Sequence, residues 1–229
     1  MTITKYYKAV IACLALSMMA CSKSDHFYKD LLDDVGKISV GRTIVKSIRP
    51  GFKRALITAQ VSSDARIKKV RISWSSGDKF TDFIIAAEDI GKEKTFTVVG
   101  LNDNYYNFQL HSLIDENTRS IATETSGYVY GDEYQSLLTN RVIKSSSLQN
   151  DTEAHILWGS NSDISLLGTQ LTYTTLGNES KTVYSPVAVN ESVLPDYKKG
   201  SAISLTSLYK PVTNFADTVY SAATSITLE

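Results

Sequence analysis

The chain has 229 residues, and its 24 Lys and Arg are matched by 24 Asp and Glu, so it is formally neutral. Neutrality without a basic run excludes a polyanion binder driven by bulk charge, and no nucleic-acid partner is expected. With 42% hydrophobic and 21% charged residues the composition is that of a globular chain, long enough for two domains of about 100 residues each.

The first twenty residues read as a targeting segment. Lys5 and Lys8 precede a mostly apolar run, Ala9 to Ala20, that is shorter than the ~20 residues a membrane span needs. The run ends in Ala20-Cys21 and is followed by the polar Ser22-Lys23-Ser24-Asp25. A small residue followed at once by Cys resembles the bacterial lipoprotein box, which implies cleavage before Cys21 and lipidation of that residue. Residues 1–20 are then a signal peptide, and the membrane is a partner only through the lipid anchor. Removal of Lys5 and Lys8 leaves 22 basic against 24 acidic residues, a net charge of −2. Cys13 lies in the removed segment, so the mature chain keeps only Cys21 and forms no internal disulfide.

Residues 21–40 are expected to form a tether with short helical turns over 26–34, where Phe27 and Leu31 stand at i, i+4. The apolar period then changes to two. Val70, Ile72 and Trp74 alternate with Lys69, Arg71 and Ser73, and Tyr106, Phe108 and Leu110 with Asn107, Gln109 and His111. Strands are predicted near 42–49, 54–62, 67–75, 80–87, 94–99, 105–114 and 119–130, which is the rhythm of an immunoglobulin-like or fibronectin type III sandwich. The pattern then recurs. A shift of 99 brings Arg42, Ile44, Ser47, Ala55, Ile57, Ser63 and Asp64 onto Arg141, Ile143, Ser146, Ala154, Ile156, Ser162 and Asp163. The predicted fold is therefore all-β, with two tandem antiparallel sandwiches at 41–131 and 141–229. Strands of the second are expected near 141–147, 153–159, 167–175, 180–187, 202–209 and 216–228. The connector, 132–140, lacks flexible-linker composition; Asp132 is expected to cap a helical turn, and Tyr134, Leu137 and Leu138 to be buried between the domains.

The run Gly127-Tyr-Val-Tyr-Gly-Asp-Glu-Tyr-Gln-Ser-Leu-Leu-Thr-Asn-Arg141 resembles the joining motif of a family of lipoproteins from Bacteroides and its relatives, domain-of-unknown-function family 4998. Phe27 to Leu32, Leu101 to Tyr106, Leu194 to Ser201 and Asp217 to Tyr220 also resemble that family. The resemblance implies an exported, lipid-anchored protein of fibronectin-like domains at the bacterial outer membrane or cell surface. It further implies an association with polysaccharide uptake, as an accessory or carbohydrate-binding component. The alternative is a structural spacer or protein–protein interaction module without glycan affinity.

No site of chemistry is expected. Asp33-Asp34, Glu88-Asp89, Asp115-Glu116 and Asp132-Glu133 are sequence neighbours, which on a strand point to opposite faces and form no catalytic dyad. His26, His111 and His155 have no metal-ligand spacing, and no phosphate, calcium or nucleophile motif occurs. No cofactor, metal or catalytic residue is assigned. Trp74 and Trp158 fall in phase with core positions, and Asp64 and Asp163 read as turn initiators. The Tyr residues near turns and the connector, Tyr105, Tyr128, Tyr130, Tyr134 and Tyr197, are either rim packing or stacking surface. Tyr128, Tyr130 and Tyr134 cluster at the join and are the candidate binding surface for a glycan or a partner surface protein.

Overall fold

The computed structural model describes residues 39–229. The signal segment, Cys21 and the helical turns expected at 26–34 lie outside the described residues. The chain from Gly41 onward forms β1 (Ile44–Gly51), β2 (Arg54–Gln60), β3 (Lys69–Trp74), β4 (Lys79–Ile84), β5 (Glu93–Val99), β6 (Asn104–Leu113) and β7 (Thr123–Val129). After the short helix α1 (Asp132–Leu137) come β8 (Ile143–Gln149), β9 (Glu153–Trp158), β10 (Leu166–Thr174), β11 (Ser180–Pro186), β12 (Glu191–Leu194), β13 (Ala202–Tyr209), β14 (Val219–Tyr220) and β15 (Thr224–Thr227). The sheets run β1-β2-β5 and β4-β3-β6-β7, then β8-β9-β12 and β11-β10-β13, with β14 and β15 both on β13. Every named strand pair is antiparallel. Three strands facing a sheet of four or more, twice in the same order, is the fibronectin type III arrangement.

Alternation makes the core. Val70, Ile72 and Trp74 of β3 face Ala55, Ile57 and Phe96 of the opposite sheet, all buried. In the second sandwich Ala154, Ile156, Trp158, Leu171, Tyr173, Leu194, Tyr197, Ile203 and Leu205 form one cluster. Trp158 is 4% exposed, and its indole N–H donates to Ser192 Oγ at 2.8 Å and Ser185 Oγ at 3.1 Å, so its polar edge is satisfied inside the core.

The internal repeat extends to hydrogen bonding. Ser112 of β6 and Ser207 of β13 are buried, and each side chain accepts a backbone N–H from the entry of its sandwich, Thr43 at 3.1 Å and Arg141 at 2.8 Å. Each serine N–H in turn donates to a second serine hydroxyl, Ser120 at 3.0 Å and Ser221 at 3.0 Å. These knots tie the edge of one sheet to the other and pair the buried backbone N–H groups of Thr43, Ser112, Arg141 and Ser207. They also correct the alignment. The bulged residues are Lys46 in β1 and Lys144 in β8, so the first strands match at a shift of 98, whereas β2 and β9 match at 99. Arg42 and Arg141 are therefore not equivalent. Arg42 is exposed, while Arg141 is buried, lies 4.8 Å over the Trp158 ring and donates to the carbonyls of Pro186, Val187 and Val189.

Both last strands start later than their sequences predict, because a serine side chain takes the place of a ladder bond. The run expected over 119–130 becomes an isolated bridge at Arg119 and then β7, and 216–228 divides into β14 and β15 around Ser221. The strand β12 has no counterpart among the runs expected from the sequence; it has four residues and stops at Pro195.

The connector differs from expectation in two respects. Asp132 is the first residue of α1 and forms an ion pair with Lys53 at 2.5 Å instead of capping. The cap is Asp103, whose carboxylate accepts the N–H groups of Gly131 at 2.8 Å, Glu133 at 3.0 Å and Tyr134 at 3.0 Å. Held from that side, α1 turns Tyr134 inward, and Leu137 is left 79% exposed with Leu138 half-buried. The apolar contact between the sandwiches comes from rings instead. Tyr130 meets Tyr134 at 5.0 Å and Phe215 at 5.5 Å. Beside them Asp217 receives Arg54 through both carboxylate oxygens and the Phe52 N–H at 2.8 Å, and Ala216 N–H donates to Pro50 O at 2.8 Å.

On the outer face of the first sandwich, Arg71 and Lys69 converge on Asp82 and Glu116. The Arg71 guanidinium, with Lys69 beside it, holds the Asp82 carboxyl down to about 2 against the opposing effect of burial. A depressed carboxyl stabilises the fold above its unfolded value of about 3.9 and loses that contribution as the pH falls through the folded value. Asp82→Asn is expected to lower the thermal midpoint at pH 5, and the gap to wild type should narrow steadily as the pH falls from 4 towards 2. A gap of constant size in pH-dependent melting would contradict the pairing. Ser207→Ala removes the acceptor of a buried N–H and should cost about 1–3 kcal/mol in urea unfolding; an unchanged midpoint would show that the knot is not structural.

Candidate functional site

The candidate site is a groove of about 720 Å³ in the first sandwich, within the ~300–1,000 Å³ range of small-ligand sites. It follows from a difference in strand length. The last partner of β3 on β6 is Ser73, opposite Gln109. β6 and β7 continue as a two-stranded ribbon from Phe108 back to Asn104, paired with Thr125 to Val129. The β3–β4 hairpin leaves the sheet through Ser75 (φ 54°), Ser76 (φ 58°) and Gly77 (φ 93°), three successive residues in the left-handed half of backbone space. The space between this hairpin tip and the projecting ribbon is the groove.

The second sandwich shows what closes that space. Its β10–β13 ladder ends at the equivalent pair, Thr172 opposite Ser204. There the connection into β13 spans residues 195–201, against 100–103 in the first sandwich. The longer segment lies along the hairpin: Lys198 N–H donates to Thr174 O at 2.9 Å, Leu176 N–H to Asp196 O at 2.7 Å, and Tyr197 is fully buried. Tyr197 is thus core, not surface. The first sandwich has no segment of that length to spend, because its short connection buries Leu101 and commits Asp103 to the cap of α1.

The lining combines aromatic and polar groups. Trp74, Tyr106 and Phe108 form its base, with Tyr106 stacked on Phe108 at 5.7 Å. Asn104, Asn107 and Gln109 contribute amides, Ser75, Ser76 and Ser126 hydroxyls, and Glu124 a carboxylate that accepts from Gln109 Nε2 at 3.0 Å. At the rim, Tyr105 is 59% exposed, yet its hydroxyl is bonded to Ser126 Oγ at 2.7 Å, on the neighbouring strand and diagonal to its own partner Tyr128. That bond ties the hydroxyl end to the neighbouring strand while more than half of the residue stays exposed.

The three tyrosines expected to form the binding surface stand in one edge-to-face series, Tyr128 to Tyr130 at 4.8 Å and Tyr130 to Tyr134 at 5.0 Å. Tyr130 and Tyr134 are half-buried at the join, and burial raises both phenols above their ordinary range. Tyr128, 43% exposed, stands opposite Tyr105 and connects the join with the groove rim. The sequence places Tyr105 near a turn but not at a groove, since the groove exists only because the 100–103 connection is too short to cover the hairpin. Asp64 and Asp163 are turn residues, their carboxylates accepting the N–H groups of Arg66 at 3.1 Å and Ser165 at 2.8 Å. His111 faces outward, with burial and the nearby Arg119 and Arg71 lowering its pKa, and His155 is bonded to Glu191 at 2.8 Å. Among the described residues no three His, Cys, Asp or Glu gather where a metal ion would sit.

Solved structures with similar shape include chicken CNTN1 FN1–FN3 domains, at 10% identity and TM-score 0.43, covering 83% of this chain, which spans 65% of that segment. Fibronectin(III)-like modules of Clostridium thermocellum CbhA match at 16% identity and TM-score 0.42 over 82% of this chain and 93% of theirs. A two-domain fibronectin type III segment of chicken tenascin matches at 14% identity and TM-score 0.31 over 81% and 96%. No curated protein matches the chain. The model of the domain-of-unknown-function family 4998 matches residues 21–219, so that the first sandwich with its groove, the joining motif and the second sandwich up to the start of β14 fall within it, and the chain belongs to that family.

Proposed function

We propose that the protein is a non-catalytic, lipid-anchored component of the bacterial outer membrane or cell surface that holds glycan chains for a polysaccharide-uptake system. The observation that supports this reading is the groove of the first sandwich. Amides and hydroxyls in an open cleft offer donors and acceptors to sugar hydroxyls, and the exposed Tyr105 ring offers aromatic surface for the apolar side of a pyranose. A ring already fixed by its own hydroxyl loses little further freedom when a sugar stacks on it. Anchoring falls to an acylated Cys21, since several acyl chains at about 0.8 kcal/mol per buried CH₂ make a durable tether.

A second reading, a spacer or protein–protein module, draws on the join. The Arg54–Asp217 pair, the Pro50–Ala216 bond and the Tyr130–Phe215 contact link the sandwiches through both polar and aromatic groups.

Affinity electrophoresis of the full chain through gels containing plant and microbial polysaccharides tests the first reading. Retardation is expected, and Tyr105→Ala should weaken it about three- to tenfold while leaving the melting temperature unchanged. Migration unaffected by every polysaccharide would favour the spacer reading. Separately, palmitate labelling should mark the wild type and not Cys21→Ser; equal labelling of the two would remove the anchor from the proposal.

A further inference from the structure

We infer that the groove takes uncharged glycans and rejects acidic ones, with Glu124 as the residue that sets this preference; the inference rests on the glycan reading above. Its basis is the inventory of charge. Of the residues that line the groove, Glu124 alone carries a formal charge, and no Lys, Arg or His is among them. Glu124 stands on β7 directly opposite Gln109 of β6, which is in turn opposite Ser73 of β3, so the carboxylate belongs to a cross-strand row that reaches the groove from the outer, exposed face of the sheet. Gln109 Nε2 occupies one of its oxygens at 3.0 Å, and the carboxylate retains acceptor capacity for hydroxyl donors.

Along the Ser73–Gln109–Glu124 row the two cations of β3 are already committed, and Lys79, opposite Trp74 at the hairpin end, falls in the alternate phase of the sheet. Arg71 binds Asp82 and Glu116 and lies 4.2 Å from the centre of the Phe80 ring, and Lys69 binds the same two carboxylates. A uronate or sulfate laid on the Glu124 row would therefore meet a fixed negative charge with no uncommitted cation in that row to neutralise it. A neutral sugar meets an acceptor that strengthens the hydrogen bond of its hydroxyl. The amides of Asn104, Asn107 and Gln109 serve either kind of sugar and do not discriminate between them.

The test compares neutral polysaccharides (xylan, mannan, mixed-linkage glucan) with acidic ones (polygalacturonate, alginate, chondroitin sulfate), using the full chain and its Glu124→Gln and Glu124→Lys variants. Wild type should be retarded by at least one neutral polymer and by no acidic one. Glu124→Gln should bind the neutral polymer on the order of fivefold more weakly, and Glu124→Lys should acquire retardation by an acidic polymer that disappears at high salt. Thermal melts of both variants at the wild-type temperature establish that the surface substitutions leave the fold intact. Wild-type binding to acidic polymers alone, or equal binding to both classes in all three proteins, overturns the inference and leaves the glycan reading standing. Binding to neither class overturns that reading, and the inference with it.

Discussion

Each sandwich is closed by a buried serine whose hydroxyl takes a backbone N–H from the entering strand while its own N–H goes to a second serine. The ladder cannot continue through such a knot, which is why the last strand of each sandwich starts late or divides. It also sets where the connector must arrive. Asn140, the last connector residue, accepts from Ser207 N–H and Ser221 Oγ at 2.8 Å each and donates to Ala222 O at 2.8 Å, while Tyr209 donates to Thr139 O. At its other end the connector is held by Asp103 and Lys53 of the first sandwich. The nine-residue join is thus fastened at both ends by polar contacts to rigid strands, and this explains how it can expose Leu137 and still be ordered.

The two halves share strand order and core register, and depart from one another at the connection into the sixth strand. Ile72 opposite Leu110 recurs as Leu171 opposite Leu205, and Val70 opposite Ser112 as Thr169 opposite Ser207. Against this common frame, residues 195–201 fold Tyr197 into the second sandwich, and residues 100–103 leave the same place open in the first. The left-handed Ser75 and Ser76 cost on the order of 1 kcal/mol each.

Much of this was readable in the residues. The alternation of Val70, Ile72 and Trp74 against Lys69, Arg71 and Ser73 is a direct consequence of one buried and one wet sheet face. The strands of the first sandwich, the core tryptophans and the two turn aspartates follow from the same local rules. What was not readable depends on partners distant in sequence. Leu137 looks like a buried anchor until Asp103 is seen to orient α1. Arg141 looks like the twin of Arg42 until the bulges at Lys46 and Lys144 shift the strands by one residue. Tyr105 and Tyr197 are both tyrosines beside turns, and only loop length places one on the surface and the other in the core.

Among the described residues the groove lies in one sandwich of the pair and its counterpart in the other is filled by Tyr197, so on the proposed reading the pair is monovalent through it. A polymer of repeating units can then engage several chains only when those chains stand side by side on one surface. Retention of the polymer would rise steeply with the density of chains, because each contact after the first is made at high effective concentration. Weak individual contacts would still let the polymer slide and be handed on, whereas two equivalent grooves on one rigid chain would hold it in place.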